Sequence, residues 1–372
     1  MTQPLRIGIL GGGSNSAVGQ AHIASLRMDG KFEIGPSLFS HLEDENRESH
    51  LKYGLAWSSH PRNIETFLKE YAQQLDLVAI LTPSTQHIDH IEKVIDSRLP
   101  FVCEKPVACS SDQLSALHSL LGRCHNSRSY FVHNYSGYPM FRELVLRVQD
   151  GQLGPIHHVR VKMPSDGFAR ERIIGRPQLW RQSDPEIPMI MLDLGTHMHH
   201  LVRMVLERCP SSVMCRMHEM VNSFGVVDNV EIWEQRDDGV AVSYWMSKAH
   251  LGIKNGLSIE VYGSEGSLTW EQMSPDVLSQ ADLDSTVATV NRGSARQLAT
   301  ARDRFKAGHP TGFVEAFANF YSDLADDFMD SQAGARSSAS GWIRPIGEAM
   351  DGIRFLATAV KASATGTWVR YE

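Results

Sequence analysis

At 372 residues the chain exceeds one comfortable hydrophobic core, so two domains are expected. Its side chains are 42% hydrophobic and 21% charged, the balance of a soluble globular protein, and no apolar run approaches the length of a membrane span. With 36 basic against 43 acidic residues the formal charge is −7, and no basic block or aromatic-interleaved basic stripe occurs, so nucleic acid is not an expected partner.

The first apolar run begins within five residues of the N-terminus, which leaves no room for a signal peptide and sets a cytoplasmic expectation. The five cysteines, Cys103, Cys109, Cys124, Cys209 and Cys215, are odd in number and lack C-x-x-C spacing. Buried thiols are expected rather than a disulfide framework or a zinc knuckle.

Leu5, Ile7, Ile9 and Leu10 form a short apolar run that stops at Gly11, Gly12 and Gly13, as a buried parallel strand stops at a phosphate-binding turn. Ala21, Ile23, Ala24 and Leu26 follow at helical spacing. Glycine suits such a turn because the backbone must take positive φ and let a pyrophosphate approach, while the helix end attracts the anion. The spacing G-x-G-x-x-G is not met: with Gly11, Gly13 and Gly19 as candidates the loop is three residues longer, and a glycine-rich surface turn is the plain alternative.

Lys31–Ser40 stands where a second strand belongs, weakened by Pro36. Folds that prefer NAD place an acidic residue at its end, where this chain has Phe39, Ser40 and His41, so NAD and NADP both stay open. Helical patterns follow at Glu43–Tyr53, closed by Gly54, and at Pro61–Gln73. Leu75–Leu81 is a nearly continuous apolar strand running into Thr82, Pro83 and His87, and then a helix carrying Ile88, Ile91, Val94 and Ile95. Phe101–Cys103 is another short strand, ending in Glu104, Lys105 and Pro106. A helix near Ser111–Cys124 and a further strand at Tyr130–Val132 complete an alternation that predicts a doubly wound parallel sheet over residues 1–134.

From residue 135 the character changes. A helix at Pro139–Val148 precedes a strand at Ile156–Met163, an irregular stretch at Pro164–Pro188 and a helix at Leu194–Leu206. Strands are expected at Val213–Val221, Val230–Gln235, Val240–Lys248, Leu257–Tyr262 and Ser267–Glu271, with hairpin turns at Asp238-Gly239 and Glu265-Gly266. Residues 135–372 therefore read as an α+β domain with a predominantly antiparallel sheet, whose open face suits a homo-oligomer. Ser274–His309 is polar and reads as a long loop or lid with a helical piece. Helices at Thr311–Met329 and Pro345–Ala362 and a last strand at Thr367–Tyr371 close the chain.

Three residues serve one chemistry. Lys105 lies just past a parallel strand, where the nicotinamide end of a cofactor would sit, and Asp193 and His197 are four apart, on one face of a helical turn. A secondary alcohol yields a hydride only as its hydroxyl proton leaves, and a histidine with a free pKa near ~6.5 suits that task. Lys105 would stabilise the alkoxide and Asp193 would orient the imidazole. A solvated lysine and a local Asp–His hydrogen bond are the plain alternatives. His197, His199 and His200 cluster on one helix, but no carboxylate or cysteine completes a ligand set, so no metal is expected.

The glycine-rich start, Thr82-Pro83 with His87, Glu104-Lys105-Pro106, the NYSGYP stretch from Asn134 to Pro139, and Asp193-x-Gly195-x-His197 together resemble the glucose–fructose oxidoreductase / inositol dehydrogenase / MocA (Gfo/Idh/MocA) family over nearly the whole chain. NYSGYP, WRQSDP around Trp180 and GHPTGFVEAFANFY from Gly308 to Tyr321 resemble its levoglucosan dehydrogenase type. The resemblance implies a Rossmann domain holding NAD or NADP, a second domain for a sugar or polyol substrate, and Lys105, Asp193 and His197 as catalytic residues. It puts Gly11, Gly12, Gly13, Val18, Ser40, His41, Thr82, Pro83, His87, Glu104, Lys105 and Asn134 on the cofactor side, and Tyr135, Trp180 and Arg181 with the catalytic three on the substrate side. A non-catalytic nucleotide-binding regulator and an enzyme with a permanently bound redox cofactor are the competing readings.

Overall fold

The computed structural model describes residues 3–57, 61–123, 128–175, 177–335 and 341–372; the side chain of Trp180 lies outside the described set, as does Cys124. The chain divides into two compact units, one of residues 1–137 with 313–350 and one of residues 138–312 with 351–372. The first unit thus runs three residues past the expected break at 134. It also takes back a helix expected to belong to the second.

In the first unit, β1 (Leu5–Gly11) is buried along nearly all its length and is followed by α1 (Ala17–Met28), β2 (Phe32–Ile34), α2 (Glu43–Lys52) and α3 (Ile64–Tyr71). Then come β3 (Leu77–Leu81), wholly buried, α4 (His87–Asp96), β4 (Phe101–Cys103), α5 (Ser111–Gly122) and β5 (Ser129–Phe131). The strands form a parallel sheet in the order β2-β1-β3-β4-β5. Its five strands stand at the five segments from which strands were expected. The strand order reverses between β1 and β3, and the ligand crevice of such a sheet lies outside the carboxyl ends there.

The second unit opens with α6 (Pro139–Gln149), whose proline occupies the first helical turn, and β6 (Ile156–Pro164), followed by the short α7 (Glu171–Ile174). A π-helical turn at Met191–Gly195 leads into α8 (Thr196–Val205). Next are β7 (Ser212–His218), β8 (Asn229–Gln235), β9 (Ala241–Ser247), β10 (Ser258–Gly263) and β11 (Gly266–Glu271). The region expected as a loop or lid with a helical piece instead holds two strands, β12 (Val277–Asp282) and β13 (Val287–Asn291), and its helical piece is the one-turn α9 (Gln297–Thr300). β13 ends the sheet and is almost wholly solvated, so neither strand carries the apolar alternation that marks a half-buried one.

Phe313–Gln332 forms α10, Ile346–Thr365 forms α11 across the boundary between the units, and β14 (Val369–Arg370) closes the chain. The nine-stranded sheet, ordered β13-β12-β11-β10-β6-β9-β8-β7-β14, is antiparallel except where β6 runs parallel to β9. The first unit's core joins Ile7, Ile9, Leu77 and Ala79 of the parallel sheet to Phe317, Phe320, Leu324 and Phe328 of α10. That burial is why α10 belongs with the nucleotide-type fold. Among the described residues no helix is long and apolar enough to cross a membrane.

Candidate active site

In the first unit the expected residues gather at the carboxyl ends of the parallel strands. β1 ends at Gly11, with φ +80°, where a Cβ would stand 2.7 Å from the Thr82 nitrogen. Gly12, with φ +68°, comes next, and a Cβ on Gly19 would fall 2.0 Å from the Gly12 carbonyl oxygen. The glycines the geometry demands are therefore Gly11, Gly12 and Gly19. Gly13 has ordinary φ and lies against Ser49.

The extra residues of the loop end at Ser16, which caps α1 by accepting from the Gly19 N–H at 3.0 Å. α2 and the residue after it hold the loop from the other side. Ser49 Oγ accepts from Ser14 N at 2.9 Å, Lys52 Nζ donates to Ser14 O at 2.8 Å, and the Tyr53 hydroxyl lies 3.0 Å from the carbonyls of both Gly12 and Gly13. The sequence reading found the helix but not these contacts, which fix the longer loop in place. Val18 is exposed on the first turn of α1.

Beyond β2, His41 is exposed and Ser40 half-exposed; Ser40 donates its hydroxyl to Glu45 Oε2 at 2.7 Å. A carboxylate from α2, five residues on, thus lies against Ser40 beyond the strand end. Past β3, Thr82 and Pro83 open the turn to α4, whose His87 is fully buried between the Pro106 carbonyl (2.8 Å) and the Thr82 carbonyl (2.9 Å). Its ring ties the turn after β3 to the turn after β4. Burial holds its pKa below the usual imidazole range, against the two carbonyls and the charge of Glu104.

Past β4, Glu104 is buried and Lys105 half-buried. Glu104 Oε1 lies 2.9 Å from His22 Nε2, and Oε2 accepts the Lys105 N–H at 3.0 Å. Burial raises the Glu104 pKa, but the His22 hydrogen bond and the charges of His22 and Lys105 outweigh it and leave the carboxyl below its usual range. Past β5, Asn134 and Tyr135 lie buried in a short 3-10 turn, Asn134–Gly137. This turn is held by Asn319 of α10, which donates to the Gly137 carbonyl at 2.8 Å.

This edge fits a dinucleotide. Its glycines keep side chains off the turn, and the buried Asn134 side-chain nitrogen has no hydrogen-bond partner among the described residues.

In the second unit, Asp193 sits in the π-helical turn, a local winding often found at functional sites, so it and His197 are not on one regular α-turn. Arg181 Nη1 and Lys248 Nζ both donate to Asp193 Oδ2, the lysine at 2.8 Å. Lys248 is itself buried, 5.2 Å above the Phe168 ring. A lone lysine at the end of β9 carried no sequence signal, and only the fold brings it to Asp193. His197 is buried in the first turn of α8, and the His199 ring lies tilted against Phe355, 5.0 Å between ring centroids. Among the described residues no group of three or more His, Cys, Asp or Glu side chains is arranged to hold a metal ion.

Two family models match the chain. One, described as an oxidoreductase family with an NAD-binding Rossmann fold, spans residues 5–130, and the other, described as a GFO/IDH/MocA C-terminal domain, spans residues 141–269. An uncharacterized oxidoreductase, YfiI, of Bacillus subtilis is 24% identical over all of this chain and 98% of its own. The solved inositol dehydrogenase homolog of Azotobacter vinelandii, complexed with NADH and myo-inositol, superposes with a TM-score of 0.89 at 25% identity, covering 100% of this chain and 98% of that one. A levoglucosan dehydrogenase in complex with NADH and levoglucosan shares the fold at a TM-score of 0.84 and 18% identity, over 99% of this chain and 100% of that one.

Proposed function

We propose, since this chain belongs to the Gfo/Idh/MocA family of NAD-binding oxidoreductases, that it interconverts a secondary alcohol and a ketone on a sugar, a sugar derivative or a cyclic polyol. One observation carries the reading. At the sheet edge that fits a dinucleotide, Lys105 stands where β4 ends, in a turn fixed through Glu104. The nicotinamide, when bound, supplies the acceptor or donor of the hydride.

The protein's own residues do the rest. Lys105 donates a hydrogen bond to the reacting oxygen and stabilises it as an alkoxide. His197 accepts the hydroxyl proton in the oxidative direction and returns it in the reductive one. Asp193, held by Arg181 and Lys248 through a single oxygen, orients the imidazole. The alcohol thereby loses one proton to His197 and one hydride from carbon, which balances the two-electron oxidation.

The ring substrate is supported by the relatives: the inositol dehydrogenase homolog is solved with myo-inositol and the levoglucosan dehydrogenase with levoglucosan, both hydroxylated rings. The open nine-stranded sheet is the surface on which self-association is expected. The test is a panel of sugars, inositols and nucleotide sugars with NAD and NADP, followed by the absorbance of reduced nicotinamide. Turnover of at least one ring alcohol is expected. Tight NADH binding without turnover of any panel member would favour a regulatory protein instead.

A further inference from the structure

We propose that His22 and Tyr321 are positioning residues for Lys105, acting through Glu104 to fix the peptide from which the lysine side chain departs. The inference rests on the reading of Lys105 as catalytic. It concerns three polar groups in an otherwise apolar core: His22 on α1 is 0% exposed, Tyr321 on α10 1% and Glu104 at the end of β4 8%. Groups of this kind are costly to bury unless every partner is in place, and apolar residues of like volume would hold the same helices together.

The Tyr321 phenol stays protonated, because burial and then the charge of Glu104 raise its pKa well above the usual value. Its hydroxyl lies 2.5 Å from His22 Nδ1. An ionised carboxylate only accepts, so His22 Nε2 carries a proton and donates to Glu104 Oε1 at 2.9 Å. Oε2 in turn accepts the Lys105 N–H at 3.0 Å, so both carboxylate oxygens are engaged. The Glu104 N–H also donates to the Ile80 carbonyl of β3 at 2.9 Å.

The carboxylate can neither rotate nor withdraw without breaking a bond to a buried partner. Lys105 consequently leaves the sheet edge from a peptide tied to β3, α1 and α10 at once. Reacting groups lose activity steeply when displaced, about a hundredfold for an error near 1 Å, so such anchoring has a direct catalytic use. The edge-on packing of His22 against Phe317, 4.8 Å between ring centroids, holds the imidazole plane.

The test uses the full chain, with lysines reductively methylated by 13C-formaldehyde and the Lys105 resonance identified by its loss in Lys105→Arg. Tyr321→Phe keeps the volume and removes only the hydroxyl, His22→Phe removes both ring bonds, and His22→Gln restores a donor near the Nε2 position. In the wild type Lys105 is expected to give one line resolved from the surface lysines. That line should move toward the surface envelope in His22→Phe and Tyr321→Phe and return in His22→Gln, with NADH affinity unchanged within about twofold. On the ring alcohol turned over by the wild type, kcat should fall about tenfold or more in the two phenylalanine variants, with KM nearly constant. An unmoved Lys105 line and wild-type kcat in both overturns the proposal. If Lys105→Ala itself turns over normally, the catalytic reading of Lys105 falls and takes the proposal with it; if Lys105→Ala is dead while the two variants behave as wild type, the positioning proposal falls alone.

Discussion

Replacing Gly19 by alanine places a methyl group 2.0 Å from the Gly12 carbonyl oxygen, with the Gly12 carbonyl carbon at 2.5 Å and its Cα at 2.8 Å. An ordinary contact needs about 3.4 Å, so α1 and the glycine turn must part by about 1.4 Å. No flexible side chain can yield, because all three obstructing atoms are backbone. Overpacking of this kind costs roughly 1–3 kcal/mol, and the upper end applies where backbone meets backbone. The shift also strains the 3.0 Å cap from Ser16 to the Gly19 N–H.

At about 2–4 °C per kcal/mol, the expected fall in melting temperature is roughly 6–12 °C. NADH affinity, read by quenching of protein fluorescence or by calorimetry, should fall at least about tenfold, because the turn that receives the pyrophosphate has moved. Gly122→Ala is the internal control: no atom lies within 4 Å of the new Cβ and φ is not positive, so it should be neutral or slightly stabilising. A Gly19→Ala protein that melts with the wild type and binds NADH within about twofold of it would refute the assignment of this turn as the phosphate cradle.

Lys248→Met should lower the unfolding free energy in urea by about 1.5–3 kcal/mol, since it removes a buried charged hydrogen bond from Asp193 while Arg181 remains; Lys248→Arg should recover most of the loss. Burial holds His87 neutral in the folded chain, so its folded pKa lies below the unfolded value near ~6.5. Above that value it contributes nothing to the pH dependence. As pH falls through it the unfolded chain gains a proton the folded chain refuses, and the melting temperature should drop, with a shallower slope in His87→Gln. The Glu45 carboxylate on Ser40 disfavours the extra phosphate of NADP, so NADH should bind more tightly than NADPH, and Glu45→Gln should narrow the gap by about five- to tenfold in competition binding at low salt.

The parallel unit was legible because burial of both sheet faces writes itself as unbroken apolar runs: Leu77–Leu81 is buried at every position. The hairpins at Asp238-Gly239 and Glu265-Gly266 were equally plain, since they join consecutive paired strands. β12 and β13 were not, because strands with so little burial obey no apolar alternation. The return of α10 to the first unit was hidden for another reason. Its amphipathic pattern shows that it buries a face, but not against which partner, and the pairing of Tyr321 with His22 spans 299 residues.

The candidate site divides in the same way. Lys105 and Asn134 stand at strand ends, which a sequence can mark, and the structure places them there. Lys248, Ser49 and Tyr53 act through hydrogen bonds made by the fold, and their local sequences are those of ordinary strand and helix ends. Asp193 and His197 are four apart in the sequence whether the turn between them is α-helical or π-helical, so residue spacing cannot distinguish the two.

The most direct measurement pairs kinetics with binding in Lys105→Ala and His197→Ala, using the ring alcohol that the wild type oxidises. Each substitution should lower kcat by about a hundredfold or more while NADH still binds within a few-fold of the wild-type affinity. Wild-type turnover in both variants would contradict a hydride transfer assisted by this lysine and this histidine.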